Sequence, residues 1–293
     1  MPKIKNPHII ELELTNDCNL ECIHCHRKKM RLDVGYIDVK IFKKLINEIS
    51  GYPIPFLRLV GRGEPTLHPY LAELMGYLKN KKIKVELCTN GNLFNTYSYK
   101  EILDWDIDIL DISIDGMDRD SYNKIRKNGD YEVLKTQITN FCHARKEMNR
   151  RSPIINIRNV IFPSFDQPQI ERFKSTWSGI TDSVDFNILN PFNTNFIRQK
   201  QFRCNEIFFI AHIRWNGKVA ICGDQFIFGE DKFIGDLENE NLNQIWQSPE
   251  LKKLRLLHRK RDISDDTFCY HCSPATYPNP KLILPKNLRI FGY

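Results

Sequence analysis

The sequence lacks any long hydrophobic run, since no window approaches the roughly eighteen apolar residues that a membrane-spanning helix needs. It also lacks an evenly spread set of cysteines. Its nine cysteines are an odd number and fall in short clusters, unlike the disulfide framework of a secreted protein. These two absences predict a cytoplasmic protein that uses cysteine to bind metal.

The charge is only modestly one-sided. The chain of 293 residues has 43 basic and 36 acidic residues, a formal net charge of +7, and the basic residues lie in separate runs. Such runs are typical of solvated helix faces, so we expect neither a nucleic-acid partner nor a membrane partner. An anionic small-molecule substrate is a simpler explanation of the excess.

Short apolar segments alternate with helical patterns up to about residue 190. This order is typical of a parallel sheet with crossover helices outside it. Six such units, rather than eight, predict an α/β fold in the form of a partial, open (β/α)6 barrel. The predicted strands cover residues 8–14, 56–60, 84–89, 109–114, 155–161 and 184–189.

The pattern changes after about residue 195. The segment "IFFIAHIRWNGKVAIC" predicts a hairpin that turns at "WNG", and short helices and a "CYHC" sequence follow it. We therefore predict a barrel domain over 1–195 and a small C-terminal domain with a tail over 196–293.

Three cysteines, Cys18, Cys22 and Cys25, form a C-x3-C-x2-C run just beyond the first predicted strand. The active sites of such barrels lie at the C-terminal ends of the strands. Three thiolates on one loop can bind three corners of a cubane iron-sulfur cluster and leave the fourth iron open. A structural zinc site would need a fourth protein ligand, such as His24 or His26.

This loop resembles that of the radical S-adenosylmethionine (radical SAM) enzymes, which also have a Gly-Gly-Glu-Pro turn after the second strand. Here the turn is "RGEP", with Arg62 in place of the first glycine, and "TNG" and "SIDG" resemble the family's next two strand ends. The resemblance implies that the three cysteines hold a 4Fe-4S cluster and that SAM binds beside it. It places Gly63 and Glu64 at the methionyl amino group and Ser113 and Asp115 near the ribose, and the implied cofactor-binding set is Gly63, Glu64, Pro65, Asn90, Ser113 and Asp115.

What the resemblance implies for activity is reductive cleavage of SAM to a 5'-deoxyadenosyl radical, which abstracts a hydrogen atom from the substrate. The electron would come from a donor such as flavodoxin or ferredoxin.

Four further cysteines lie in the C-terminal part: Cys204, Cys222, Cys269 and Cys272. The first two flank Gly217 in a C-x12-G-x4-C pattern, and spacing alone leaves a structural zinc and a second iron-sulfur cluster both open. The arrangement is similar to the SPASM extension of radical SAM enzymes in its shortened "twitch" form, as in 2-deoxy-scyllo-inosamine dehydrogenases. That resemblance implies one auxiliary 4Fe-4S cluster.

Three residues are candidates for catalysis. Cys88 ends a predicted strand and could return a hydrogen atom, although a small core residue is the simpler interpretation. Arg158 is a candidate for binding the SAM carboxylate or an anionic substrate, and Asp185 for contacting the substrate or acting as a base.

We expect oxidation of a small polar molecule such as a sugar, cyclitol or nucleotide. The alternatives are a peptide-modifying enzyme and a redox-neutral epimerase that uses Cys88. The short segment before the first strand leaves little room for a peptide-binding domain and disfavours the first of them.

Overall fold

One large mixed sheet forms the centre of the protein in a computed structural model that describes residues 5–30, 33–189, 204–227, 229, 232–263 and 269. A two-stranded sheet lies beside it. The strands are β1 Ile9–Leu12, β2 Glu21–Cys22, β3 Phe56–Leu59, β4 Lys84–Thr89, β5 Ile109–Ser113, β6 Arg126–Lys127, β7 Ile154–Ile161, β8 Ser183–Ile188, β9 Ile210–Ile213, β10 Lys218–Ala220 and β11 Phe233–Asp236.

The six predicted strands are confirmed as β1, β3, β4, β5, β7 and β8. They lie side by side in that order, and every neighbouring pair is parallel. The predicted α/β partial barrel is therefore correct. Its C-terminal strand ends meet at one rim, which is where the cysteine loop leaves β1.

Helices cover the outer face of the sheet. Helix α1 begins after Asp38, whose side chain accepts from two backbone N–H groups, a standard N-cap. The helices are α1 Val39–Ile49, α2 Leu71–Leu78, α3 Leu93–Thr96, α4 Tyr99–Asp104, α5 Arg119–Ile125, α6 Tyr131–Glu147, α7 Gln167–Ser178, α8 Glu206–Phe209, α9 Gly223–Ile227, α10 Leu242–Trp246 and α11 Pro249–Lys260, with short 3-10 turns at His26–Lys29 and Pro65–Leu67. Among the described residues, none of these helices has the length and apolar character needed to cross a membrane.

The core lies between the sheet and these helices. Alternate strand residues such as Ile10, Leu12 and Leu57 are fully buried on the helix side. Each such side chain contributes about 1.5–3 kcal/mol relative to leaving it in water. Successive residues of a strand face opposite sides of the sheet, so the residues that alternate with these buried ones point into the barrel.

The C-terminal hairpin is confirmed, and it joins the same sheet. Strands β9 and β10 are antiparallel around Gly217, whose φ of +78° is the left-handed conformation that favours glycine. Strand β9 pairs in parallel with β1, so the hairpin extends the barrel sheet at its first edge. The domain boundary near residue 195 lies outside the described residues and stays a prediction.

Candidate active site

The cysteine loop is tied back to the barrel by a short antiparallel pairing of β2 with β6, in which Cys22 faces Arg126. The N–H of Ile23 donates to the carbonyl oxygen of Ile125 at 2.9 Å, and that of Cys25 to Cys22 at 3.1 Å. All three cysteines are unpaired and partly buried. The loop therefore presents three thiols at the barrel rim.

This donor set fits an iron-sulfur cluster, because thiolates are the ligands that such clusters take. Burial raises the pKa of Cys18 to about 11 and raises the pKa of Cys22, so these two thiols carry protons in the cluster-free protein. His24, one of two candidates for completing a zinc site, has its Nε2 3.3 Å from Asp115 Oδ2 instead. Three cysteines and an open position therefore fit the loop better than a closed zinc shell.

The turn at Gly63 packs directly against the start of the cysteine loop. A Cβ at this glycine would overlap backbone atoms of Thr15, Asn16 and Asp17. The next N–H, that of Glu64, donates to the carbonyl oxygen of Asp17 at 2.6 Å. The glycine is needed here for close approach of two backbone segments.

Glu64 joins the second and third strand ends. Its buried carboxylate accepts from Thr66 N at 3.1 Å, Thr66 Oγ1 at 2.8 Å, Thr89 Oγ1 at 2.7 Å and Asn90 N at 2.6 Å. Burial raises the pKa of Glu64, and these donors oppose that shift. Pro65 is buried at the start of the adjoining 3-10 turn. The SAM-binding role implied for Gly63, Glu64 and Pro65 stays a prediction.

Arg62, the departure from the family pattern, has a partner that sequence reasoning missed. Its Nε and Nη2 donate to Glu13 Oε1 and Oε2, each at 2.9 Å, and its backbone N donates to Oε1 at 2.8 Å. Both side chains are almost completely buried. The residue fixes the turn to the end of β1.

The other implied cofactor residues lie at neighbouring strand ends. Asn90 Nδ2 donates to Asn19 Oδ1 at 2.8 Å and lies 3.8 Å from Cys18 Sγ, so it contacts the cysteine loop. Ser113 ends β5 and is partly buried. Asp115 is 1% exposed and pairs with Arg126 and His24. Its carboxylate is thus engaged by two side chains, and the position near the SAM ribose that the resemblance implies for Ser113 and Asp115 stays a prediction.

A continuous row of polar side chains crosses the inner face of the barrel below this rim. Strand register places neighbouring members opposite one another. The row consists of His212, Glu11, Arg58, Glu86, Cys88, Asp111, Asn156, Arg158 and Asp185.

Short contacts link the first half of the row. His212 Nδ1 lies 2.9 Å from Glu11 Oε2, and Arg58 Nη1 donates to Glu11 Oε1 at 2.7 Å. Arg58 Nε then donates to Glu86 Oε2 at 3.0 Å. Burial raises the pKa of Glu11, but His212 and Arg58 outweigh it and leave the pKa below its ordinary value.

Cys88 lies between two carboxylates of the row. Its Sγ is 3.5 Å from Glu86 Oε1 and 3.7 Å from Asp111 Oδ2. Burial, followed by these two negative charges, raises the pKa of the thiol well above its ordinary value. Three such ligand atoms lie close enough together to hold a cation, but Arg58 and Arg158 already occupy the carboxylates, and the site carries a thiol rather than a thiolate.

Arg158 and Asp185 complete the row, so the three predicted catalytic residues share one face. Arg158 Nε donates to Asp111 Oδ2 at 2.5 Å, and Asn156 Nδ2 donates to Asp185 Oδ2 at 3.2 Å. Burial raises the pKa of Asp185. Asp185 has no guanidinium hydrogen-bonded to it among the described residues, and it is partly accessible.

Four charged members of the row were missed by sequence reasoning: Glu11, Arg58, Glu86 and Asp111. The signal was present in "IELEL", "FLRL", "VELC" and "ILDIS", where a charged residue alternates with apolar ones inside each predicted strand. In a strand with one face in the core, that alternation places the charges on the other face.

The C-terminal cysteines adjoin the far end of the row. Cys222 and Cys269 are buried, and burial raises the pKa of Cys222 well above its ordinary value, with a further contribution from Cys269. Glu206 Oε2 accepts from Gly223 N at 2.9 Å and lies 3.7 Å from His212 Nε2. Buried thiols fit an iron-sulfur cluster here too; Cys204 is partly buried, and Cys272 lies outside the described residues.

Two family models match the chain. The radical SAM superfamily matches residues 12–155, and the SPASM iron-sulfur cluster-binding domain matches residues 204–273. The matched regions contain the first cysteine run and all four C-terminal cysteines, respectively.

Curated relatives share parts of the chain. A probable GTP 3',8-cyclase of Methanococcus maripaludis is 33% identical over 43% of this chain and 43% of its own length, so the match spans less than half of that relative. A protein of Pyrococcus furiosus that modifies the cofactor of a tungsten-containing aldehyde ferredoxin oxidoreductase is 22% identical over 88% of this chain and 86% of its own.

Solved structures share the fold. BtrN in complex with AdoMet and 2-DOIA has a TM-score of 0.56 at 13% identity, covering 87% of this chain and 88% of that one. SuiB of Streptococcus suis bound to the precursor peptide SuiA has a TM-score of 0.69 at 14% identity, covering 86% and 67%. The chain belongs to the radical SAM superfamily and carries a SPASM-type domain, with SAM, a SAM-binding 4Fe-4S cluster and an auxiliary cluster as its cofactors.

Proposed function

We propose that this radical SAM enzyme dehydrogenates a small polar molecule, converting a secondary alcohol to a ketone. The observation that supports this is the row of linked side chains. It runs from Asp185 through Cys88 to His212, which lies beside the C-terminal cysteines. Oxidation of an alcohol needs a base that accepts a proton and an acceptor for an electron. Asp185 lies at one end of the row as the base, and the C-terminal cysteines of the auxiliary cluster lie beside the other end.

When bound, SAM and its cluster supply a radical that removes one hydrogen atom from the carbinol carbon, and the auxiliary cluster supplies an acceptor for one electron. The remaining step, removal of the hydroxyl proton, falls to a residue of the chain. Asp185 accepts the hydroxyl proton, and its raised pKa brings it closer to the operating pH of a general base. The substrate thus loses one hydrogen atom, one proton and one electron.

The charges of the row bear on the substrate. Four carboxylates (Glu11, Glu86, Asp111 and Asp185) face two guanidiniums (Arg58 and Arg158), and each guanidinium donates to a carboxylate at 3.0 Å or less. Arg158 is thus already paired with Asp111. Partly accessible Asp185 favours a neutral or cationic substrate that donates hydrogen bonds, rather than the anionic one that the overall charge suggests.

The test is stimulation of 5'-deoxyadenosine formation by the reconstituted, dithionite-reduced enzyme. Inositols, amino sugars and nucleosides form one panel, and short synthetic peptides form the other. A small hydroxyl-bearing compound should raise the rate above the uncoupled rate and yield a ketone. Stimulation by peptides alone would overturn the proposal.

Two variants sharpen this test. Asp185→Asn cannot accept the proton and should lower ketone formation about 100-fold or more, which is the usual range for losing a general base. Cys88→Ser should leave ketone formation nearly unchanged, because dehydrogenation needs no hydrogen donor. Val184→Ala, on the same strand but on its opposite face, is the matched control for a general effect of altering β8.

A peptide substrate is the second candidate. The observation that favours it is the fold match to SuiB, which was solved with a precursor peptide and has the higher TM-score of the two structures described. The peptide panel tests it directly, with a modified peptide as the expected product.

A further inference from the structure

The carboxylate of Asp115 is held by a backbone N–H and by a buried guanidinium. Its Oδ1 accepts from the backbone N of Val160 at 2.8 Å, and its Oδ2 accepts from Arg126 Nε at 2.8 Å and lies 2.7 Å from Arg126 Nη2. Both side chains are nearly fully buried. The carboxylate thus already has a backbone donor on one oxygen and a guanidinium on the other.

Arg126 belongs to the segment that holds the cysteine loop. It lies opposite Cys22 in the pairing of β2 with β6, next to the Ile23–Ile125 backbone hydrogen bond. Asp115 therefore fixes the strand against which the loop pairs.

His24 connects the loop to the same carboxylate from the other side. It stands between Cys22 and Cys25, and its Nε2 lies 3.3 Å from Asp115 Oδ2. Its ring packs edge-on against Phe162, with 5.5 Å between centroids and 86° between the planes. Phe162 follows β7, so His24 anchors the loop to the ends of two barrel strands.

We infer that His24 and Asp115 are positioning residues that hold the cysteine loop in its ligand-presenting shape before the cluster binds. The buried carboxylate of Asp115 contacts two separate segments. These are the cysteine loop, through His24, and the strand paired with it, through Arg126. Preorganisation of this kind lowers the ordering cost of cluster binding. It assigns Asp115 to the loop rather than to the ribose.

The test is amide hydrogen exchange of the cluster-free protein, followed by mass spectrometry of peptides that cover residues 18–27. His24→Ala should speed exchange of the Ile23 and Cys25 amides about tenfold or more, because the contact of the loop with a buried carboxylate is lost. Iron incorporated per chain at limiting iron should fall in parallel. His143→Ala, at an exposed histidine of α6, is the matched control.

Two further variants keep the test decisive. His24→Phe retains an aromatic ring beside Phe162 without the donor and should behave like His24→Ala. Asp115→Asn should speed the same exchange while leaving SAM affinity per occupied cluster unchanged. Exchange within about twofold of wild type in His24→Ala would overturn the inference, as would weaker SAM binding by Asp115→Asn with an unaltered loop.

Discussion

Replacing Arg62 by glycine, the residue that the family pattern has there, should lower the free energy of unfolding by about 3–5 kcal/mol. Glu13 has no exposed side-chain surface, and both of its oxygens accept from the Arg62 guanidinium. Without the guanidinium, a carboxylate remains buried without its counterion. The cost of an uncompensated buried charge sets the size of the loss.

Urea unfolding of the cluster-free protein under reducing, oxygen-free conditions measures the change. The double variant Glu13→Gln with Arg62→Gly should be more stable than Arg62→Gly alone, because no buried charge is left unpaired. Arg151→Gly, in an exposed segment before β7, controls for the backbone freedom that glycine adds. A loss below about 1 kcal/mol for Arg62→Gly, the level typical of a surface pair, would show that Glu13 does not depend on the Arg62 guanidinium as its counterion.

Three further substitutions have defined outcomes. Gly63→Ala should cost about 1–3 kcal/mol by overpacking the backbone of 15–17, and should reduce iron incorporation, both measurable by thermal melting and iron assay. Glu11 has a folded-state pKa below its ordinary value of 4.5. The ionised Glu11 therefore stabilises the fold above pH 4.5, and this stabilisation is lost as the pH falls through the folded-state pKa. Glu11→Gln should remove this contribution to the pH dependence of the unfolding free energy. In Gly35→Ala the new Cβ would overlap three ring atoms of Trp215, so the tryptophan must move and the emission maximum should shift.

Much of the barrel could be predicted from the sequence because each strand is short, apolar and followed by a helical pattern. The parallel pairing of β9 with β1 could not, since it joins segments about 200 residues apart. Local periodicity identifies the hairpin but not the edge of the sheet to which it adds.

The candidate site also has one part that the local sequence predicts and one part that it does not. The spacing of Cys18, Cys22 and Cys25 specifies its chemistry within eight residues, whereas the row below it depends on register across seven strands. The alternation in "IELEL" shows that Glu11 faces inward, but its pairing with Arg58 and His212 is set only when three strands align. Likewise, "SIDG" resembles a ribose-binding strand end, and only the fold brings Arg126 and His24 to Asp115.

The measurement that most directly tests the proposed dehydrogenation is the mass of the product formed in heavy water from a small molecule that stimulates SAM cleavage. Dehydrogenation gives a product two mass units lighter than the substrate, with no deuterium at the reacting carbon, in both wild type and Cys88→Ser. A product one mass unit heavier than the substrate, in which one deuterium from solvent has replaced the hydrogen at the reacting carbon and whose formation requires Cys88, would contradict dehydrogenation and establish epimerisation.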